Sequence, residues 1–366
     1  MENIEEFTTR LRSIRKEALQ NTGMRDYYHM RSIAFLGQVS FCLSLYACYS
    51  EWYVATVFML AFSLMVKWLL MHHIGHGGYD RIKGIPSRFH SSRYAIGWRK
   101  YLDWFDWVKP EAWNYEHNTL HHNFTGELQD PDLVEDNLDW LAQARLPYAM
   151  KAVILFLFSF TWKFTYYSAR TLSYSRNSNT DPINFSNFFD LRRAPQRTMW
   201  LEMFIPYTAF NFVALPLLFE WLLPGMGVPF FLCRMAAELL HNLHTFIIIV
   251  PNHSGEDLHR YVNISEKERG GGYYYIRQIR GSVNYKTGNE WIDLSQMYLN
   301  YQIEHHLFPN LSMLQYRRIQ PQVKALCEEF KVDYIQESVW VRLIKMSRIA
   351  LGKSTMILVD GNQSKA

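Results

Sequence analysis

Cysteine is scarce in this chain of 366 residues and badly placed for chemistry. Cys42, Cys48, Cys233 and Cys327 form no close-spaced pair, and three of them lie in apolar stretches, which argues against a thiolate metal site and a disulfide framework. Charge of one sign is lacking as well. The 38 Lys and Arg nearly balance 34 Asp and Glu, and the excess of +4 is too small and dispersed for a nucleic-acid-binding surface. The chain contains no Gly-x-Gly-x-x-Gly fingerprint, no cysteine set for an iron–sulfur cluster and no His-Pro-Gly-Gly haem motif. Its first 32 residues are polar and hold six Lys/Arg, so neither a cleavable signal peptide nor a fused haem domain is expected there.

What the chain has is aromatic and apolar mass. Aromatic residues make up 16% and apolar residues 49%, yet 20% are charged and the mean hydropathy is −0.19, which predicts a membrane anchor with a large aqueous part. Residues 33–50 carry no charge, and residues 52–71 carry only Lys67. They predict a membrane-crossing hairpin, and residues 199–223 and 229–250, joined by Pro224 to Val228, predict a second. Both turns lack Lys and Arg. By contrast the first 32 residues hold six, residues 72–148 eight, residues 168–198 five, and the chain after 252 fifteen. The positive-inside rule therefore puts all four of those regions in the cytosol. Residues 149–169 are long enough to span but contain Lys151 and Lys163, and are expected to lie in the interface. The predicted organisation is a cytosolic segment at 1–32, a membrane domain at 33–335 and a tail at 336–366. The membrane is a bacterial inner membrane or the endoplasmic reticulum.

Histidine is the unusual residue. Fourteen of them placed at random would give fewer than one adjacent pair, and the chain has three: His72-His73, His121-His122 and His305-His306. Each pair has a further candidate ligand nearby. On an α-helix His72 and His76 share a face, His117 and His121 share another, and His122 is turned by about 100° from His121. Gln302 sits one turn before His306. Clustered imidazoles without thiolates point to a metal centre, and three such clusters suit a dinuclear one.

The motifs His-His-Ile-Gly-His at 72–76, His-Asn-Thr-Leu-His-His at 117–122 followed by Asp130-Pro131-Asp132, and Gln-Ile-Glu-His-His at 302–306 resemble the three histidine boxes of the membrane fatty acid desaturases. The last box, with Gln302 where many relatives have His, is most similar to the front-end and acyl-lipid branch. The resemblance implies an all-α integral membrane fold of four transmembrane helices in two hairpins, interfacial helices and a cytosolic histidine-rich di-iron cap. It also implies O2-dependent removal of two hydrogens from a long acyl chain. The ligands it implies are His72, His76, His117, His121, His122, His305 and His306, with Gln302 a weaker ligand or a hydrogen-bond partner of one. His253, just past the last membrane segment, is an eighth nitrogen. His73 stands where the family often has Asp, as a supporting partner or an alternative ligand, and Asp130 and Asp132 are expected to orient ligand imidazoles.

An unactivated C–H bond has no acidic proton, so acid–base catalysis alone cannot break it. The chemistry needs two iron ions, O2, two electrons and an apolar tunnel holding a lipid- or CoA-linked acyl chain. With no cofactor motif in the chain, the electrons are expected from cytochrome b5 or from a ferredoxin with its reductase. A membrane hydroxylase of an alkyl or sphingoid chain shares the ligand pattern, and a metal-binding or transport protein is an alternative of another class. Arg234 and Glu238, a turn apart in a membrane segment, are either functional or simply paired. His241 and His244 lie in the same segment, with a structural or channel role as open as ligation. Trp104, Trp107, Trp113 and Tyr273 to Tyr275 are expected as interface anchors more than as tunnel walls, and His29, His90 and His259 as ordinary surface residues.

Overall fold

The computed structural model describes residues 3–174, 182–184, 186–265 and 269–361. Helix α1 (Ile4–Asn21) starts where the Asn3 side chain accepts the Glu6 amide, with Glu5 and Glu6 in the electropositive first turn. Phe7, Leu11 and Ala18 are buried along one face. Helices α2 (Met24–Tyr49) and α3 (Tyr53–Gly75) form the first hairpin, reversing at Glu51 with φ +61°. α2 begins earlier than its uncharged run because the buried Asp26 carries the helix into polar surroundings. Its carboxylate accepts from the Gly23 amide, Ser312 and Gln315. Gly37 lets the two helices approach closely: a Cβ there would lie 2.7 Å from Val66 Cγ1.

α4 (Pro110–Tyr115) runs directly into a π-helical turn at Glu116–His121. α5 (Tyr148–Ser159) is too short to cross a bilayer, and after a further π turn at Lys163–Tyr167 the chain continues as α6 (Ser168–Ser173). The second hairpin follows. α7 (Ala194–Leu222) contains Pro206 and Pro216, which remove ladder donors, and wider turns at Met199–Phe204 and Ala209–Ala214 take up the mismatch. α8 (Gly227–Ile249) packs against α3, so the hairpins form one bundle.

Three helices among the described residues, α2, α3 and α7, are long and apolar enough to cross a membrane. α8 is also 23 residues long, but its Arg234, Glu238, His241, Asn242 and His244 make it more polar. Outward-facing Phe35, Phe58, Leu217, Trp221 and Leu232 stay exposed, as expected of a surface covered by lipid. Between the hairpins, buried charges satisfy one another. Arg234 Nη1 lies 3.0 Å from Glu238 Oε2, Tyr207 donates to the same carboxylate at 2.7 Å, and Lys163 Nζ lies 3.2 Å from Asp106. That pairing is a sufficient reason for Arg234 and Glu238 to be there.

The remaining elements build the cap: α9 (Gly271–Arg280), α10 (Gln302–Leu307), α11 (Met313–Glu329) and α12 (Val339–Ala350). α1 lies along α11, with Phe7 edge-on to Phe330. Much of the stretch read as a tail is folded. β2 (Ile357–Asp360) pairs in parallel with β1 (His259–Val262), and the buried Arg342 of α12 binds Asp257 at 2.7 Å and Glu337 at 3.2 Å. The part beyond residue 361 lies outside the described residues.

Candidate metal centre

The three histidine clusters meet where α3, the π turn and α10 end against one another. His72 and His76 come from the cap end of α3, their rings 4.8 Å apart. His117, His121 and His122 come from the π turn and the residue after it, and here the geometry differs from the α-helical expectation. A π turn has more residues per turn, so His117 has both neighbours close: its ring lies 5.1 Å from His121 and 5.0 Å from His122. His305 and His306 are fully buried on α10. His253 follows α8 and is buried, its ring 4.4 Å from His306 and 4.8 Å from His121.

Two separate sets of nitrogens result, linked by others that share their members. His72, His76, His117 and His305 form one group, and His121, His253 and His306 another, each with candidate ligand atoms within 4.8 Å of one another. His122 joins His305 and His306 in a third group between them. His72 Nε2 and His305 Nε2 face each other at 3.1 Å. Gln302 Nε2 lies 2.8 Å from His253 Nε2, while the Gln302 carbonyl oxygen is buried without a partner.

Electrostatics keep this cluster unprotonated. Burial, reinforced by the neighbouring imidazoles, holds His76, His122, His305 and His306 well below the usual histidine range. Burial takes His253 to about 3. His121 is the exception. Burial opposes its charge too, but the Asp130 carboxylate outweighs burial and raises its pKa.

The fit to metal rests on orphaned lone pairs. His76 Nε2, His306 Nε2 and both nitrogens of His117 and of His122 are buried with no hydrogen-bond partner, a costly arrangement for neutral rings and a suitable one for cation ligands. The donor set is nitrogen, with Asp132 the one carboxylate grouped with it, beside His117 and His121, and such a set suits iron and other first-row metals. Several outward-facing ring nitrogens are also held. His121 Nδ1 donates to Asp130 at 2.8 Å, His253 Nδ1 to the Gly281 carbonyl at 2.9 Å and His306 Nδ1 to Gln278 at 2.9 Å, and His305 Nδ1 pairs with the Tyr316 hydroxyl at 3.2 Å. Sequence spacing pointed to Asp130 but offered no signal for Gln278, Gly281 or Tyr316, which are remote along the chain or carry no motif.

Other expected residues fall in varied places. Asp132 lies 3.9 Å from both His117 Nδ1 and His121 Nδ1, so it is a more distant neighbour than Asp130. His73 belongs to none of the groups: its Nε2 donates to the Met297 carbonyl at 3.0 Å. His241 is buried apart from the cluster, and His244 contacts the Ser295 carbonyl at 2.7 Å. His29, expected on the open surface, instead pairs with Glu290 at 2.7 Å and with Tyr298. Trp104 and Trp107 are buried rather than interfacial, and Trp107 donates to Glu238 at 2.8 Å. Trp113 stacks on His117 at 4.7 Å.

A narrow and mostly apolar pocket reaches the cluster. Trp68, Trp113, Phe158, Trp162, Tyr167 and Phe246 form most of its walls, and His72, His117, His121 and His253 stand at its inner side. Such a lining suits a slender apolar ligand.

Comparison with known proteins agrees with this arrangement. The pattern describing the fatty acid desaturase family matches residues 50–338. The chain is 23% identical to bovine fatty acid desaturase 3 over 87% of its own length and 66% of the relative's. It is 23% identical to the sn-1 linoleoyl-lipid 6-desaturase of Arthrospira platensis, over 72% of this chain and 67% of that one. It is 22% identical to the NADPH-dependent stearoyl-CoA 9-desaturase of Mycobacterium tuberculosis, over 94% and 79%. The chain thus spans about two thirds of the first two relatives. No solved structure matches it.

Proposed function

The chain belongs to the fatty acid desaturase family, whose members are oxidoreductases, and we propose that it introduces a double bond into a long-chain fatty acyl group, using O2 and a pair of iron ions. The observation that carries this reading is eight imidazoles, seven of them buried and His76 partly so, converging beside an apolar pocket, with Nε2 of His76, His117, His122 and His306 unpartnered. His72, His76, His117 and His305 would hold one iron, and His121, His253 and His306 the other, with His122 between them and Gln302 at the His253 side. Bound iron supplies the redox chemistry with O2 that an unactivated C–H bond requires. The chain's own residues do the rest. The pocket walls straighten a flexible chain and hold one stretch of it against the imidazoles, so the position of the double bond is a matter of placement. Asp130, Gln278, Tyr316 and the Gly281 carbonyl fix the rings that face that stretch.

In this reading α2, α3, α7 and α8 cross the membrane and the cap faces the cytosol, where electrons arrive from a separate donor protein, cytochrome b5 or a ferredoxin. A surface groove formed by Arg12, Arg15, Lys16 and Arg81 offers such a donor an electropositive seat. The test is metal analysis of the purified protein together with lipid profiling of an expressing host. About two irons per chain and a new unsaturated acyl product are expected. Stoichiometric zinc without iron, from a host shown to load iron into a known desaturase, would sink the proposal.

A further inference from the structure

Besides the histidines, the acyl pocket is lined by Asn137, Leu138 and Tyr166; Arg170, outside that lining, stands one turn beyond Tyr166 and reaches it through Asn137. The Asn137 side chain is committed on both atoms: its nitrogen donates to the Pro131 carbonyl at 2.7 Å, and its oxygen accepts from Arg170 Nη2 at 2.9 Å. Arg170 is not. Its Nε is buried without a partner, its guanidinium lies 4.7 Å from the Tyr174 ring, and it forms no ion pair among the described residues. The Tyr166 hydroxyl is buried and unpartnered as well. A buried donor left unpaired is destabilising, so two together suit an acceptor that arrives with the ligand.

The surrounding charge selects the kind of acceptor. The Asp132 carboxylate lines the same pocket, and Asp136 adjoins Asn137. A phosphate or a free carboxylate would meet these groups as a like charge, and a neutral carbonyl oxygen would not. We propose that Arg170 and Tyr166 hold the carbonyl oxygen of the ester or thioester joining the acyl chain to its carrier, with Asn137 fixing the guanidinium. This rests on the desaturase reading above and deepens it. From that clamp the methylenes run past Trp162 and Tyr167 to His117 and His121. The distance between clamp and imidazoles then selects which carbons lose hydrogen.

The test is product analysis in a host expressing each variant, with double bonds located by mass spectrometry and iron measured in the purified proteins. The wild type should give one predominant position. R170A and Y166F should retain iron, lower product by about tenfold for a lost hydrogen bond, and spread the double bond over neighbouring positions. R170K keeps a charged donor and should recover the predominant position, which a merely structural role for Arg170 would not require. A shift of position in either R170A or Y166F supports the clamp, and the wild-type position in both overturns it. If R170A makes no product, Y166F decides in the same way. A wild type that makes no unsaturated product overturns the desaturase reading itself, and the clamp with it.

Discussion

Burial disfavours protonation of the cluster's imidazoles, His121 beside Asp130 excepted, and for several rings an outer nitrogen is tied to the protein. Replacing His72, His76, His117, His121, His122, His305 or His306 by Ala removes an inner nitrogen. Each variant should still insert, should lose bound iron, and should make product below detection; near-normal turnover in two or more of them would refute the ligand assignment. Asp130 acts at one remove through His121 Nδ1. Asp130→Asn should keep the fold but weaken iron binding by about 10–100-fold, read as faster loss of iron to a chelator, since outer partners of ligands have effects of that size. Gln302, whose amide reaches His253 Nε2, should tolerate His with partial activity and fail as Ile. Full activity in Gln302→Ile would reduce it to packing. The clustering of these histidines was legible because spacing alone places pairs on helix faces. Tyr316 and Gln278 were not, because a single hydroxyl or amide becomes a partner only when a distant helix delivers it.

At the scale of elements, helix existence was legible and helix continuity was not. The four apolar runs mark the two hairpins to within a few residues, except at the start of α2, where a buried Asp26 extends the helix beyond its apolar run. The π turn at Glu116–His121 has no signature in periodicity, yet it sets how the second histidine cluster is fanned out. The folded stretch after residue 336 was also hidden, because a short amphipathic helix shows its place only once Arg342 meets Asp257 and Glu337 and Met346, Ile349 and Leu351 meet the core. Within the bundle, Gly37 makes a checkable claim. Gly37→Ala puts a Cβ 2.7 Å from Val66 Cγ1, and a β-branched side chain has little freedom to withdraw. The variant should lose about 1–3 kcal/mol of stability, as overpacked contacts do. Val66→Ala in the same chain should recover most of that loss. Equal thermal stability of Gly37→Ala and wild type in detergent would show that the hairpin has room to spare.

For the whole molecule, histidines from the early and late parts of the chain meet in one cluster, so on the proposed topology residues 80–140 and 260–340 share a compartment. Single cysteines at the exposed positions Ser92 and Lys331 should both react with an impermeant thiol reagent only from the cytosolic side, in a background with the native cysteines replaced. Labelling from opposite sides would overturn the bundle topology. On the proposed reaction the same face would receive electrons. Each turnover would consume two, and the sequence shows no dinucleotide fingerprint, iron–sulfur cysteine set or haem motif. The groove of Arg12, Arg15, Lys16 and Arg81 lies close to the centre in bonded steps: the Arg15 guanidinium is 5.9 Å from the Phe308 ring, Tyr316 donates to the Phe308 carbonyl at 3.3 Å, and the Tyr316 hydroxyl pairs with His305. An acidic donor seated there is attracted over roughly a Debye length, about 8 Å at physiological ionic strength, so its encounter rate must fall as salt rises. Purified protein given O2, acyl substrate and NAD(P)H alone should therefore make no more than a single turnover. Adding the donor and its reductase should restore multiple turnover at a rate that declines with ionic strength. Reversing Arg12, Lys16 and Arg81 to Glu should raise the donor concentration needed for half-maximal rate, with the acyl KM unchanged, because the groove lies outside the acyl pocket. Sustained turnover without any added redox protein, or a rate indifferent to both salt and charge reversal, would place the electron entry elsewhere.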